Sequence, residues 1–202
     1  MRWLGLVLIF GSQPAFAKVL DIYAQAEGGG ASGRGVAGAQ KDNAFAEHAE
    51  GGAYGLLAGV ELFFVDAWVE HLQFRTGDGL VGTWTQLMAG LDMDLALGDD
   101  PPEGQKPKTF FELGGAVGFG MGTGSQVEPP LDNGEISDKG FITQLRAGID
   151  HHLGDMLSIG ASVPVTYGYL FKNDVANDES NHYQQVSVAL LVHLRLHLDL
   201  GD

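Results

Sequence analysis

Apolar and polar residues alternate along most of this chain, and nowhere more strictly than over residues 183–200. Val186, Val188, Leu190, Val192, Leu194, Leu196, Leu198 and Leu200 hold the even positions there, with His193, Arg195, His197 and Asp199 between the last of them. A period of two is that of a β-strand with one apolar and one polar face. Seven earlier stretches repeat the pattern: 19–27, 52–63, 66–75, 83–97, 109–122, 141–153 and 156–171. None carries the i, i+3, i+4 spacing of an amphipathic helix over a useful length.

Within a stretch the two faces separate cleanly. Leu87, Ala89, Leu91, Met93, Leu95 and Leu97 oppose Gln86, Gly90, Asp92 and Asp94, and Leu145, Ala147 and Ile149 oppose Gln144, Arg146, Gly148 and Asp150. Stretch 66–75 is the exception. If Trp68, Leu72 and Phe74 share the lipid face, Glu70 lies on it too, which calls for a bulge or a protein contact to cover the carboxylate.

The connections alternate as well. Stretches two and three are joined by little more than Phe64 and Val65, and six and seven by the tight turn at Gly154-Asp155, whereas 28–51, 123–139 and 172–181 are long and polar. With the N-terminus in the periplasm, the long segments face outward and the tight turns inward, the asymmetry of an outer-membrane barrel. Aromatic residues sort to the stretch ends. Phe63, Phe64, Trp68, Phe110 and Phe111 fall at the inner end, and Phe74, Trp84, Phe141, Tyr167, Tyr169, Phe171 and Tyr183 at the outer, as two interfacial girdles would require. The predicted fold is all-β: an eight-stranded antiparallel transmembrane β-barrel with long extracellular loops and short periplasmic turns.

Composition narrows the compartment. Met1-Arg2, the apolar run from Trp3 to Phe10 and the small-x-small Ala15-Phe16-Ala17 read as a signal peptide over 1–17, leaving 18–202 as the barrel. That run is too short for a membrane helix. The chain has no Cys, hence no disulfide framework, and its net charge of −15 repels nucleic acid and anionic lipid alike. These patterns resemble the small eight-stranded outer-membrane barrels, the group of the OmpA transmembrane domain, OmpX and OmpW. The resemblance covers the whole predicted mature chain and rests on pattern. The alternating Leu residues before the end are similar to that family's assembly signal, but Leu198-Asp199-Leu200-Gly201-Asp202 lacks its terminal aromatic. The resemblance implies the outer membrane of a Gram-negative bacterium; no appended periplasmic domain of the OmpA sort is expected, since the sequence stops at the eighth stretch.

In such a barrel the polar faces point inward, where about eight strands leave room only for side chains. The expected interior charge network comprises Glu61, Asp92, Asp94, Glu112, Arg146, Asp150, His193, Arg195, His197 and Asp199, with Asp21, His71 and His152 also inward. Buried charges need partners, and Arg146 and Arg195 face the carboxylates of Glu61, Asp92 and Glu112. The resemblance likewise implies Arg–carboxylate pairs that block a channel. His193 and His197 stand about 13 Å apart along a strand, too far for one metal ion. No cofactor is expected. The acidic segment Asn173-Asp174 to Asn177-Asp178-Glu179 offers oxygen ligands without the spacing of a calcium loop, and Gly28-x-Gly30-x-x-Gly33 matches a dinucleotide pattern with no helix to follow. No His-x-Ser pair of the lipid A deacylase barrels occurs, and His48, His182, Asp178 and Ser180 sit in outer segments.

Function is therefore expected to be that of a non-enzymatic anchor or binding platform with a plugged interior, within an envelope-spanning complex. Its partners are outer-membrane lipid and other envelope proteins, met through loops 28–51 and 123–139, Glu70 or the GDDPPEGQKPK turn. A narrow pore, a lipid-modifying enzyme and a soluble lipocalin-like barrel are the alternatives.

Overall fold

A computed structural model describes residues 20–37, 49–77, 80–98, 108–126, 136–172 and 182–200. Eight strands follow one another: β1 (Asp21–Ala37), β2 (Ala49–Leu62), β3 (Val65–Thr76), β4 (Leu80–Leu97), β5 (Thr109–Gln126), β6 (Ile136–His152), β7 (Leu157–Lys172) and β8 (His182–Asp199). Each pairs antiparallel with the next, and β1 pairs with β8 from Asp21↔Asp199 to Ala37↔Gln184, closing the sheet into a barrel. Closure leaves no edge whose amides would need water, the condition for a sheet to cross lipid.

The exterior is apolar. Leu56, Leu145 and Val117 are 67%, 64% and 62% exposed, and Leu87, Leu91, Leu190 and Leu196 also face out. That reverses the order of a soluble lipocalin-like barrel, whose apolar side chains point inward, and sets that alternative aside. At 12 to 18 residues the strands exceed the roughly 9–11 needed to cross a bilayer. The surplus lies mostly at the outer ends, where both faces are polar or glycine-rich and hydrophobic alternation fades. Hence β1 runs to Ala37 and β5 to Gln126, and β6 begins at Ile136. Parts of the expected loops, 28–37, 49–51, 123–126 and 136–139, are strand, while 38–48 and 127–135 lie outside the described residues, as does the predicted signal peptide. Gly28, Gly30 and Gly33 lie within strand β1 and not at the start of a helix, so the dinucleotide pattern is coincidental.

Strand β3 corrects the reading of stretch 66–75. Leu62 pairs with Val65 and Glu61 with Asp66 across the two-residue turn Phe63-Phe64, and no bulge interrupts the ladder. Phe63 takes φ 58°, a positive value at the first turn position that lets so short a hairpin close. This register puts Asp66, Trp68 and Glu70 inside, buried, and turns Val65, Val69 and His71 outward. Trp68 and Phe74 accordingly leave the aromatic girdle, and Trp84 and Phe110 also lie on the inward faces. A one-residue change of register exchanges every side chain between faces, so the error at Glu70 and the errors at Trp68, Phe74 and His71 are one error. Phe63 and Phe64 stay exposed at the periplasmic turn, with Phe111 on the outward face. Phe141 (edge-on to Phe119 at 5.9 Å), Tyr167, Tyr169 and Phe171 stay outward, the last two 5.3 Å apart.

Candidate functional site

The lumen is filled in layers. Its middle is an apolar cluster of Tyr23, Leu57, Trp68, Met88, Ala116 and Ile142, with Trp84 packed against it. The large rings fit because facing positions carry no side chain: a Cβ at Gly59 would stand 2.5 Å from the Tyr23 ring, and one at Gly120 2.5 Å from Trp84.

On the periplasmic side of that cluster lie two arginines. Arg195 on β8 reaches across to β5, donating from Nη1 to Glu112 Oε1 at 2.8 Å, while its Nε donates to Gln25 Oε1 at 2.8 Å. Asp150 Oδ2 is 3.5 Å from the same Nη1. Arg146 on β6 lies 3.7 Å from Asp66 on β3 and 3.7 Å from Asp92 on β4. Each guanidinium covers an aromatic face, Arg146 over Trp68 at 5.0 Å and Arg195 over Tyr23 at 5.2 Å. Tyr23 also donates its hydroxyl to Asp66 at 2.7 Å. The space beside Arg146, bounded by Asp66, Asp92 and Gln144, amounts to about 10 Å³, the room of roughly one water molecule.

Nearest the periplasmic mouth, Ser158 on β7 is fully enclosed. Its Oγ lies 2.9 Å from His197 Nε2 and donates to Asp150 Oδ2 at 2.9 Å, and His197 Nδ1 is 2.7 Å from Asp21 Oδ2. His193 Nε2 is 3.8 Å from Asp150. The His152 ring stacks on His197 at 5.0 Å, with Phe110 edge-on to His152.

The structure thus gathers Asp92, Glu112, Arg146, Asp150, His193, Arg195 and His197 of the expected network. Glu61, Asp94 and Asp199 stand on the inward faces nearer the mouth, more accessible than the arginine layer. His71, expected inward, lies outside, its Nδ1 2.8 Å from Thr85 Oγ1. Tyr23, Gln25, Asp66 and Ser158 belong to the network as well, beyond the residues expected from the sequence. Asp66 follows from the β2–β3 register, while Ser158 is an ordinary inward residue of its strand until the barrel closes. Ser158, His197 and Asp21 have the order of a catalytic triad. The serine donates its hydrogen bond to Asp150 and is fully enclosed, which is the setting of a structural hydroxyl; a nucleophile needs an oxygen that a substrate can reach. No group of three or more His, Asp or Glu able to hold a metal occurs among the described residues. His48, Asp178, Ser180 and the acidic segment 173–179 lie outside them, and His182 is exposed, stacked on Tyr169.

Toward the outer end the lumen opens into a cavity of about 200 Å³. Its walls are largely apolar, with Leu72, Phe74, Trp84, Ile142, Leu170 and Leu191, and Glu70 and Gln86 also line it.

No protein-family model matches the sequence, and no curated protein matches it either. Among solved structures, Neisserial surface protein A (NspA) superimposes with a TM-score of 0.55 at 12% identity, covering 87% of this chain and 96% of that one. The chain has the fold of the small outer-membrane β-barrels. Weaker likenesses to this barrel are Ail, the attachment invasion locus protein of Yersinia pestis (TM-score 0.42, 9% identity, 89% and 98% covered), and the outer membrane protein OprG from Pseudomonas aeruginosa (0.40, 11%, 88% and 96%).

Proposed function

We propose that the protein is a non-enzymatic outer-membrane barrel whose lumen is plugged and whose exposed ends serve as an anchor and binding platform, within an assembly spanning the envelope. One observation carries this reading: the Arg146 and Arg195 layer bridges opposite walls and leaves about 10 Å³ beside Arg146. A hydrated ion needs more room than one water, and moving it through would require breaking pairs buried on all sides, which costs about 3–5 kcal/mol for each partner lost. Partners then meet the outer segments or the periplasmic turns. Glu70, expected as a contact point, is inside and drops out of that surface, whereas residues 99–107 of the GDDPPEGQKPK turn lie outside the described residues.

Planar-bilayer recording of the purified barrel tests the plug. Brief or absent events are expected, and steady open-channel currents would establish the pore reading in its place. The Ser158–His197–Asp21 arrangement motivates a second check. Lipid A from cells expressing Ser158→Ala should be indistinguishable by mass spectrometry from that of cells expressing the native chain. A product lost only in the variant would make the barrel an enzyme. Crosslinking in cells followed by copurification identifies the partner; recovery of the barrel alone would end the platform reading.

A further inference from the structure

The charge layer leaves the outer half of the lumen unexplained. A barrel whose only task is to anchor gains nothing from an open apolar cavity of about 200 Å³, since each side chain facing it forgoes the contacts that packing would supply. A cavity of about 150 Å³ accommodates benzene, so this one has the size for a short alkyl or small aromatic molecule. Leu72, Phe74, Trp84, Ile142, Leu170 and Leu191 give it walls that pack against such a group.

Its polar end is specific. Glu70 is 95% buried, accepts a hydrogen bond from Gln86 Nε2, and has no cation within ion-pair distance among the described residues. A second buried carboxylate, Glu27 on β1, is near enough for the two charges to repel. Gln25 donates to Glu27 Oε2 at 2.8 Å, but Glu27 Oε1 has no hydrogen-bond partner among the described residues. Two carboxylates in an apolar setting repel unless a proton or a cation lies between them. The two interior arginines are committed elsewhere, Arg146 to Asp66 and Asp92 and Arg195 to Glu112 and Asp150. Arg75, at the cavity rim, belongs to an outward-facing position. We propose that this cavity is a binding site for a small amphiphilic amine, its ammonium held at Glu70 beside Gln86 and its apolar body against Leu72, Trp84 and Leu170. The ligand enters and leaves from the outer end, because the arginine layer closes the way below.

The test uses the full barrel in phosphatidylcholine nanodiscs, where no detergent competes for the cavity, and titrates n-octylamine, n-octanol and octanoate. The readout is the indole N–H resonance of Trp84, which donates to Gln86 Oε1 at 3.1 Å within the cavity wall. The Trp68 indole, below the cavity, serves as an internal control. Octylamine should shift the Trp84 signal saturably, with a midpoint at least ten-fold lower than octanol or octanoate and little movement of Trp68. Glu70→Gln should erase that preference while octanol still binds, and Leu170→Trp should abolish all three responses by filling the space. Non-saturating drift of both indoles with every compound would overturn the site. So would an unchanged octylamine preference in Glu70→Gln or undiminished binding in Leu170→Trp. If Leu170→Trp does not fold, the isosteric Glu70→Gln decides the matter alone.

Discussion

At the scale of single residues, the arginine layer obeys one rule: a buried guanidinium comes with its carboxylate. Arg195→Met leaves Glu112 buried without its guanidinium and should lower unfolding stability by about 3–5 kcal/mol. The double change Arg195→Met with Glu112→Leu should recover most of that loss. Urea titration in lipid vesicles, followed by Trp emission, checks both; equal losses for single and double variants would mean that the pair does not act as a unit. Ser158→Ala should cost less, about 1–3 kcal/mol, since it leaves one acceptor on Asp150 and one nitrogen of His197 short of a partner. Arg146, Arg195, Glu112 and Asp150 were legible in the sequence because each is a charged residue at an inward position of a clean alternation. Ser158 and Tyr23 were not, because nothing local distinguishes a serine or tyrosine that will meet a charge from across a barrel. Asp21 and His197 are 176 positions apart and meet only because β1 and β8 close the sheet.

At the scale of the element, alternation named all eight strands and erred on the faces of one. In β3, Trp68, Leu72 and Phe74 are large and apolar, so the pattern alone assigned them to lipid. The two-residue turn overrides that assignment by tying Asp66 to Glu61. Because the chain contains no cysteine, single-cysteine scanning reads the result without background. Cysteines at 65, 67, 69 and 71 should react with a membrane-permeant maleimide, and those at 66, 68 and 70 should be protected; the reverse pattern would restore the original face. The glycines under the rings behave likewise as parts of an element. Gly59→Val would drive a branched side chain into the Tyr23 ring, and should destabilise by about 1–3 kcal/mol, measured by the same titration. Outer strand ends were hidden for a different reason: above the lipid there is no apolar belt to cover, so the ladder continues without a hydrophobic signature.

For the molecule as a whole, closure makes every strand depend on both neighbours, and the barrel should resist denaturing detergent until it is heated. Unboiled and boiled samples should therefore migrate differently on a gel, and identical mobility would argue against a closed membrane barrel. The global architecture was the most legible level of all, since it follows from eight alternations and the rhythm of their connections. The outer cavity was the least. Its walls come from seven of the eight strands, and its emptiness is a property of how their side chains meet, which no single stretch records.

The turned face of β3 has a mechanical consequence. Outward positions of β8 are Val or Leu from Val186 through Leu198, while those of β3 change from Val65, Ala67 and Val69 to His71, Gln73 and Arg75, beside Thr83 and Thr85 of β4. The hydrophobic belt is tall on one flank and short on the other. Lipid meeting the short flank must thin, or the barrel must lean to bring that flank out of the hydrocarbon, each at a modest cost per ångström of mismatch. A lopsided belt gives the protein a preferred lean and a preferred side for thinner membrane, so bilayer thickness becomes a variable that orients it.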